Sequence, residues 1–273
     1  MNRQFETHQP IDLVIEIGKG RVRISAAETT ETTVEVEGAD ADEVTVTFEG
    51  NTLRVIGPKH NGGFFSKENS LDVRVALPTD SNLAVKTGSA DIEVEGQVGA
   101  ARLKTGSGDV ACDTFSGPVS IDTGSGDVEI AEGHAEVNVK SGSGDVSVGT
   151  CVRELNVSTG SGDVEVGTAN ARTVVKTGSG DLRVVTANAD VSLSTGSGDL
   201  TIGTARRGKV SAKGASSDIQ IGIPTGTPVW ADINTVTGRV RSSIESVGAP
   251  KDGQDHIELE ARTVSGDITL AEA

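Results

Sequence analysis

The chain has 273 residues with 40 Asp plus Glu against 24 Lys plus Arg, a formal net charge of −16, five Phe, one Trp and no Tyr. That balance argues against nucleic acid and anionic membrane surfaces as partners. Two cysteines are too few for a disulfide scaffold, and no stretch is apolar over signal-peptide or membrane-spanning length. No direct membrane insertion is therefore expected, and the chain reads as cytoplasmic as written, or as a cell-surface protein if its start is truncated.

In chain order, residues 13–24 alternate apolar and polar around Gly18-Lys19-Gly20 and read as a divergent first rung of the repeat described below, with Arg21 at its key position. Thr33–Val36, Val44–Phe48 and Leu53–Ile56 read as strands, the last two joined by a Glu49-Gly50-Asn51 turn into an antiparallel hairpin. His60–Lys67 reads as a loop, and Leu71–Pro78 as a strand leading into the repeats. An end of a repeat array exposes unpaired strand and apolar interior, so residues 1–82 are assigned as an N-terminal β cap that includes the first rung.

From residue 83 an aspartate recurs at a spacing of 18: Asp91, Asp109, Asp127, Asp145, Asp163, Asp181 and Asp199. Counting from each aspartate, apolar residues fall at −8, −6, +1 and +3, which is strand periodicity on both sides of a glycine-rich corner. The −6 column is Val85, Leu103, Ile121, Val139, Val157, Val175 and Leu193; the +1 column begins Ile92, Val110, Val128. Because both strands repeat at constant spacing, each can pair in parallel with its own copy one turn on. The prediction is an all-β parallel β-solenoid, a single-stranded β-helix of seven regular 18-residue rungs. Ten rungs at about 4.8 Å each would run on the order of 45 Å.

The glycine pairs Gly106/Gly108, Gly124/Gly126, Gly142/Gly144, Gly160/Gly162, Gly178/Gly180 and Gly196/Gly198 are assigned as structural turn residues supplying positive φ at the corner. At +6, Phe115, Cys151, Ala169, Ala187 and Ala205 are expected to form a partly buried column. After Asp199 the spacing loosens to Asp218, Arg239 and Asp267, so residues 83–273 form a solenoid with an irregular C-terminal end. Trp230 is expected to cover that end. The last rung, Ile257–Leu270, would leave an open ladder edge and permit end-to-end self-association.

The aspartate column admits two readings. Stacked carboxylates, whose mutual repulsion costs a tolerable amount, about 0.9 kcal/mol per pair in water, could form a cation-binding ladder, or each could accept hydrogen bonds from its own corner's amides as an Asx-type turn; the second is preferred, since a glycine-rich corner exposes amides that need an acceptor. Arg21 is expected beside Asp91, and Arg239 between Asp218 and Asp267. Outward positions of the first strand carry Lys86, Arg102, Lys104, Lys140, Lys176 and Lys213 against Asp122; those of the second carry Glu93, Glu129 and Glu165 against Arg183. Cys112 and Cys151 are expected as free thiols. Gly18-Lys19-Gly20 lacks the remainder of a dinucleotide fingerprint, Ser161 recurs in every rung without a histidine partner, and His8, His60, His134 and His256 lack ligand spacing. No catalytic residue and no cofactor are assigned.

The Thr-Gly-Ser-Gly-Asp-Val-x-Val run at Thr105–Cys112, Thr123–Ile130 and Thr159–Val166, with Pro10-Ile11-Asp12-Leu13, Leu77-Pro78 and Val264-Ser265-Gly266-Asp267-Ile268, resembles the bacterial putative-adhesin family of β-strand-repeat proteins, a domain of unknown function. The resemblance implies a β-solenoid-like fold, a surface or adhesive role and, in some relatives, attachment to envelope-stress membrane proteins. It brings no catalytic residues. The sequence therefore reads as a non-catalytic interaction or scaffold module with an unknown protein or carbohydrate partner. The alternatives are a surface adhesin and a polysaccharide-active β-helix enzyme, the latter disfavoured by uniform corners and scarce aromatics.

Overall fold

Alternating apolar residues on both sides of each corner can all be buried only if the two strands face one interior. The computed structural model, which describes residues 1–58, 70–245, 247–251 and 253–273, has that arrangement. The described residues form β-strands, one 3-10 turn at Ala41–Glu43 and no α-helix. They divide into two compact units, residues 1–136 and 137–273. The expected His60–Lys67 loop, with Phe64 and Phe65, lies outside the described residues.

Unit 1 contains β1 (Asn2–Glu6), β2 (Asp12–Ala27), β3 (Glu31–Glu37), β4 (Thr45–Glu49), β5 (Thr52–Ile56), β6 (Leu71–Pro78), β7 (Asn82–Val98), β8 (Ala101–Thr105), β9 (Val110–Phe115), β10 (Val119–Thr123) and β11 (Val128–Gly133). β7 lies parallel to β2 from Asn82 opposite Asp12 to Glu95 opposite Ser25. β8 and β10 then stack on the first half of β7, and β9 and β11 on its second half, each residue beside its copy in the neighbouring coil except past a bulge between Val94 and Gln97, where β7 and β9 pair one residue out of step. This is the expected parallel solenoid.

On the other side of β2, β5 pairs in parallel with its first half and β6 with its second half. The β5–β6 coil therefore follows β2 in the chain but lies outside it in space. The expected hairpin is present, with β4 antiparallel to β5 and Gly50 at φ 60 in its turn. β3 runs antiparallel to β6, and β1 antiparallel to β3. The Phe5 and Phe48 rings, 5.2 Å apart, bring β1 and β4 together.

Unit 2 contains β12 (Val137–Ser141), β13 (Val146–Cys151), β14 (Leu155–Thr159), β15 (Val164–Ala169), β16 (Thr173–Lys176), β17 (Leu182–Ala187), β18 (Val191–Ser194), β19 (Leu200–Ala205), β20 (Gly208–Lys213), β21 (Ile219–Ile223), β22 (Val229–Thr235), β23 (Val240–Ser242), β24 (Ile257–Thr263) and β25 (Ile268–Glu272). Even-numbered strands from β12 to β20 stack in parallel on one face. Odd-numbered strands from β13 to β21 do so on the other. The order then inverts. β24 pairs with both β20 and β22, and β25 with both β21 and β23. The coil last in sequence is thus second to last in space, and the outermost coil of unit 2 is Val229–Ser242.

The core sits between the faces. Val110, Val128 and Val146 are each 1% exposed, and the −8, −6 and +3 columns are buried with them. The +6 column is fully buried, not partly: Phe115 is 0% exposed and Cys151, Ala169, Ala187 and Ala205 are at most 1%. Size is balanced along it, since Phe115 lies directly opposite Gly133. Burying a Val, Leu or Ile side chain contributes about 1.5–3 kcal/mol, so repetition of these columns is the main source of stability.

Candidate functional site

The conspicuous polar feature is the corner that holds the aspartates. In the regular repeats the corner is first closed by its own hydroxyl at −4: the Gly108 amide donates to Thr105 Oγ1 at 2.9 Å, Gly126 to Thr123 at 3.1 Å, Gly162 to Thr159 at 3.0 Å and Gly180 to Thr177 at 2.9 Å. These hydroxyls are buried, and their recurrence at −4 was the sequence signal for them. In the Asp218 coil Gly214 takes the hydroxyl's place and Ser217 the glycine's. A Cβ on Gly214 would strike Ser217, so the two positions exchange volume as a pair.

The corner glycines do not supply positive φ as expected. Among the described glycines positive φ occurs at Gly20, Gly38, Gly50, Gly96, Gly208, Gly226, Gly248, Gly253 and Gly266, and at none of the glycine pairs from Gly106 to Gly198. The requirement is close approach. A Cβ on Gly126, Gly162, Gly180 or Gly198 would collide with the carbonyl of the equivalent glycine in the coil beneath.

The aspartates also differ from expectation. The carboxylates of Asp91, Asp109, Asp145, Asp163, Asp181, Asp199 and Asp218 accept not from their own corner but from the backbone N–H of the next coil's equivalent residue. In unit 1 Asp109 N donates to Asp91 Oδ1 at 3.2 Å and Asp127 N to Asp109 at 3.0 Å. In unit 2 the donations run from Asp163 to Asp145 (2.8 Å), Asp181 to Asp163 (2.8 Å), Asp199 to Asp181 (2.7 Å), Asp218 to Asp199 (2.7 Å) and Asp267 to Asp218 (2.7 Å). The carboxylate supplies the ladder with an acceptor where the bend removes one. A hydrogen bond to a charged group contributes about 1.5–3 kcal/mol, which exceeds the roughly 0.9 kcal/mol repulsion between neighbours.

An arginine stands beside the aspartates in each unit, though not both where expected. Arg21 lies opposite Asp91, with its guanidinium 3.6 Å from Glu93. Arg239 is not between Asp218 and Asp267: its N–H donates to Asp267 at 2.9 Å, and with no carboxylate of its own it ends the series. The inverted order of the last two coils is the reason. Among the described residues no group of three or more His, Cys, Asp or Glu could hold a metal ion.

The outward columns pair across neighbouring coils. Asp122 meets Lys104 at 3.0 Å and Arg183 meets Glu165 at 3.5 Å, so each exception in sign is matched by its neighbour. His134 lies 3.0 Å from Glu132. Cys112 and Cys151 are free and buried, and burial pushes both thiols up. No helix among the described residues is long and apolar enough to cross a membrane.

The irregular end of unit 2 gathers the surface features that the repeats lack. Val240 is 51% exposed although it occupies the +1 core column, and Trp230, expected as a cover, points outward at 59% exposure. Val229, Ala231, Ile233, Val240, Ile244 and Val247 line an apolar groove of about 300 Å³. On the outer face of β22 a second groove, about 410 Å³, runs between Trp230, Asp232, Lys209 and Glu258. Beside it Glu260 receives hydrogen bonds from Lys209 and Lys213, which hold its carboxyl below the usual glutamate value.

A putative adhesin from Bacteroides fragilis is 15% identical, with 99% of this chain and 96% of that chain covered at a TM-score of 0.38. A putative adhesin from Parabacteroides distasonis is 10% identical, with 99% and 96% covered at a TM-score of 0.42. A putative lipid binding protein, also from Parabacteroides distasonis, is 13% identical, with 100% and 94% covered at 0.37. No curated protein matches. The model of the Toastrack DUF4097 family matches residues 11–204 and again 135–271, and the chain belongs to that family.

Proposed function

We propose that this protein is a non-catalytic interaction and scaffold module and that its contact surface is the outermost coil of unit 2. One observation carries the reading. Among the described residues β22 and β23 each have a single neighbouring strand, so both present a free ladder edge, and the core residues between them are left partly exposed. Elsewhere in unit 2 the corner aspartates hold coil to coil by accepting from the next coil's amides. A free edge flanked by apolar side chains is the feature by which sheets recruit partners.

The test is affinity capture from the native host with the intact chain and with an I233K/V240K variant, alongside cell fractionation. A partner held by the intact chain and lost by the variant supports the reading. Equal capture by both, or turnover of a polysaccharide by the purified chain, contradicts it.

The adhesin alternative, with carbohydrate as ligand, draws on the exposed Trp230 face beside Asp232, Lys209 and Glu258. Trp230 is the sole tryptophan, so its fluorescence reports directly on a titration with cellohexaose, xylohexaose or chitohexaose. An unchanged spectrum with all three removes this alternative for those glycans.

A further inference from the structure

The occupant of this end follows from its charge, its edges and the way unit 1 is finished. On a chain of net charge −16, residues 229–245 carry Asp232 and Glu245 against Arg239 and Arg241, and so no net formal charge. Two copies meet less repulsion there than their overall charge implies. A further coil added in parallel would find no carboxylate at Arg239 to receive its corner amide, because the series ends at that residue. The geometry disfavours continuation of the solenoid. An antiparallel partner needs no such acceptor.

Resting on the interaction reading above, we infer that the partner is a second copy of this chain, joined by its own β22 in antiparallel fashion to form a closed two-fold dimer. Centring the two-fold on Ile233 places Trp230 opposite Val236 of the other copy, twice. These residues are 59% and 72% exposed in the isolated chain. The same register sets Asp232 against Asn234 and Ala231 against Thr235, and puts no like charges face to face. A two-fold pairing uses the same patch on both copies and is complete at two. Among the described residues of unit 1 the outermost coil is covered by β3 and β4, so it offers no equivalent open coil for further growth.

Light scattering and an engineered cysteine test this. The expected mass is twice 27.9 kDa at micromolar concentration. Ile233→Cys should be oxidised to a covalent dimer, because self-paired positions in an antiparallel ladder bring Cβ atoms to about 4.5–5.5 Å, near disulfide range. Ser147→Cys, on an exposed mid-unit position, should not crosslink, nor should the intact chain with its buried thiols. Trp230→Ala should weaken the dimer at least tenfold. A monomer at every concentration, species beyond the dimer, or equal crosslinking at position 147 overturns the inference. If the chain is monomeric while the I233K/V240K variant still loses a captured host partner, the interaction reading stands and only the second copy is excluded.

Discussion

In unit 1 the outermost coil carries antiparallel strands on its outer edge, β4 on β5 and β3 on β6, whereas in unit 2 the outermost coil, β22 and β23, has no such cover among the described residues. The same core position shows the consequence. Val73 in unit 1 is 0% exposed, and Val240 in unit 2, also at +1, is 51% exposed. Yet both units treat their terminal segments alike. β2 in unit 1 and β24–β25 in unit 2 are each inserted one coil in from the outside, where neighbours on both sides hold them. Insertion secures the terminal coils against fraying, and covering is a separate device that only unit 1 applies. An end left open after its terminal coil has been secured is a surface and not a defect.

Substitutions should reproduce that contrast. The largest effect is expected inside the repeats: Gly162→Val drives a side chain into the Gly144 carbonyl and should cost at least about 4 kcal/mol in urea unfolding. Gly226→Ala, at φ 79 in the open end but with nothing near its Cβ, should cost only about 1–2 kcal/mol. Under conditions that keep the chain monomeric, Leu53→Ala under the unit 1 cover should cost about 2–5 kcal/mol, and Ile233→Ala at the open end under about 1 kcal/mol, since little cavity forms at a partly exposed site. Equal costs for that pair would erase the distinction between the ends.

Smaller effects sharpen it. Asp181→Ala leaves the Asp199 N–H without its acceptor and should cost about 1.5–3 kcal/mol, while Asp181→Asn, which keeps an oxygen there and removes repulsion, should stay within about 1 kcal/mol of the parent. Phe5→Ala, by removing the ring contact that closes the unit 1 cover, should cost about 1 kcal/mol beyond its lost area. The smallest effect concerns pH. Glu260 is lowered by Lys209 and Lys213, so the stability it adds is fully present above 4.5, its ordinary value, and is lost as pH falls through its depressed native value. The melting difference between the parent and Glu260→Gln should therefore be constant at neutral pH and close only in acid.

The fold was legible because a strict period places each residue beside its own copy: once Val110, Val128 and Val146 recur at 18, parallel pairing follows. The ends were not, for the same reason. The intervals after Asp199 carry no period, so chain order was the only guide, and it misplaced Arg239 and the open edge. In the N-terminal cap the β4–β5 hairpin could be read from its turn, but nothing local to Leu53–Ile56 reveals that it also joins a parallel ladder with β2. The corner residues were identified while their reasons were not. Glycine repetition signals either positive φ or close approach, and a sequence does not separate the two. An aspartate after glycine points to its own turn unless the coil above is already in view. Trp230, expected to cover the irregular end, is turned outward by β22.

The order of the last coils underlies both the open end and what is proposed to bind there, and amide hydrogen exchange across residues 208–272 tests it most directly. With β24 lying between β20 and β22, Ile257–Thr263 should exchange slowly, close to the rate of Gly208–Lys213, while edge amides of Val229–Thr235 exchange faster under conditions that keep the chain monomeric. Protection that instead falls steadily along the chain, with Ile257–Thr263 the fastest of the three, would place the final strands outermost and contradict the account.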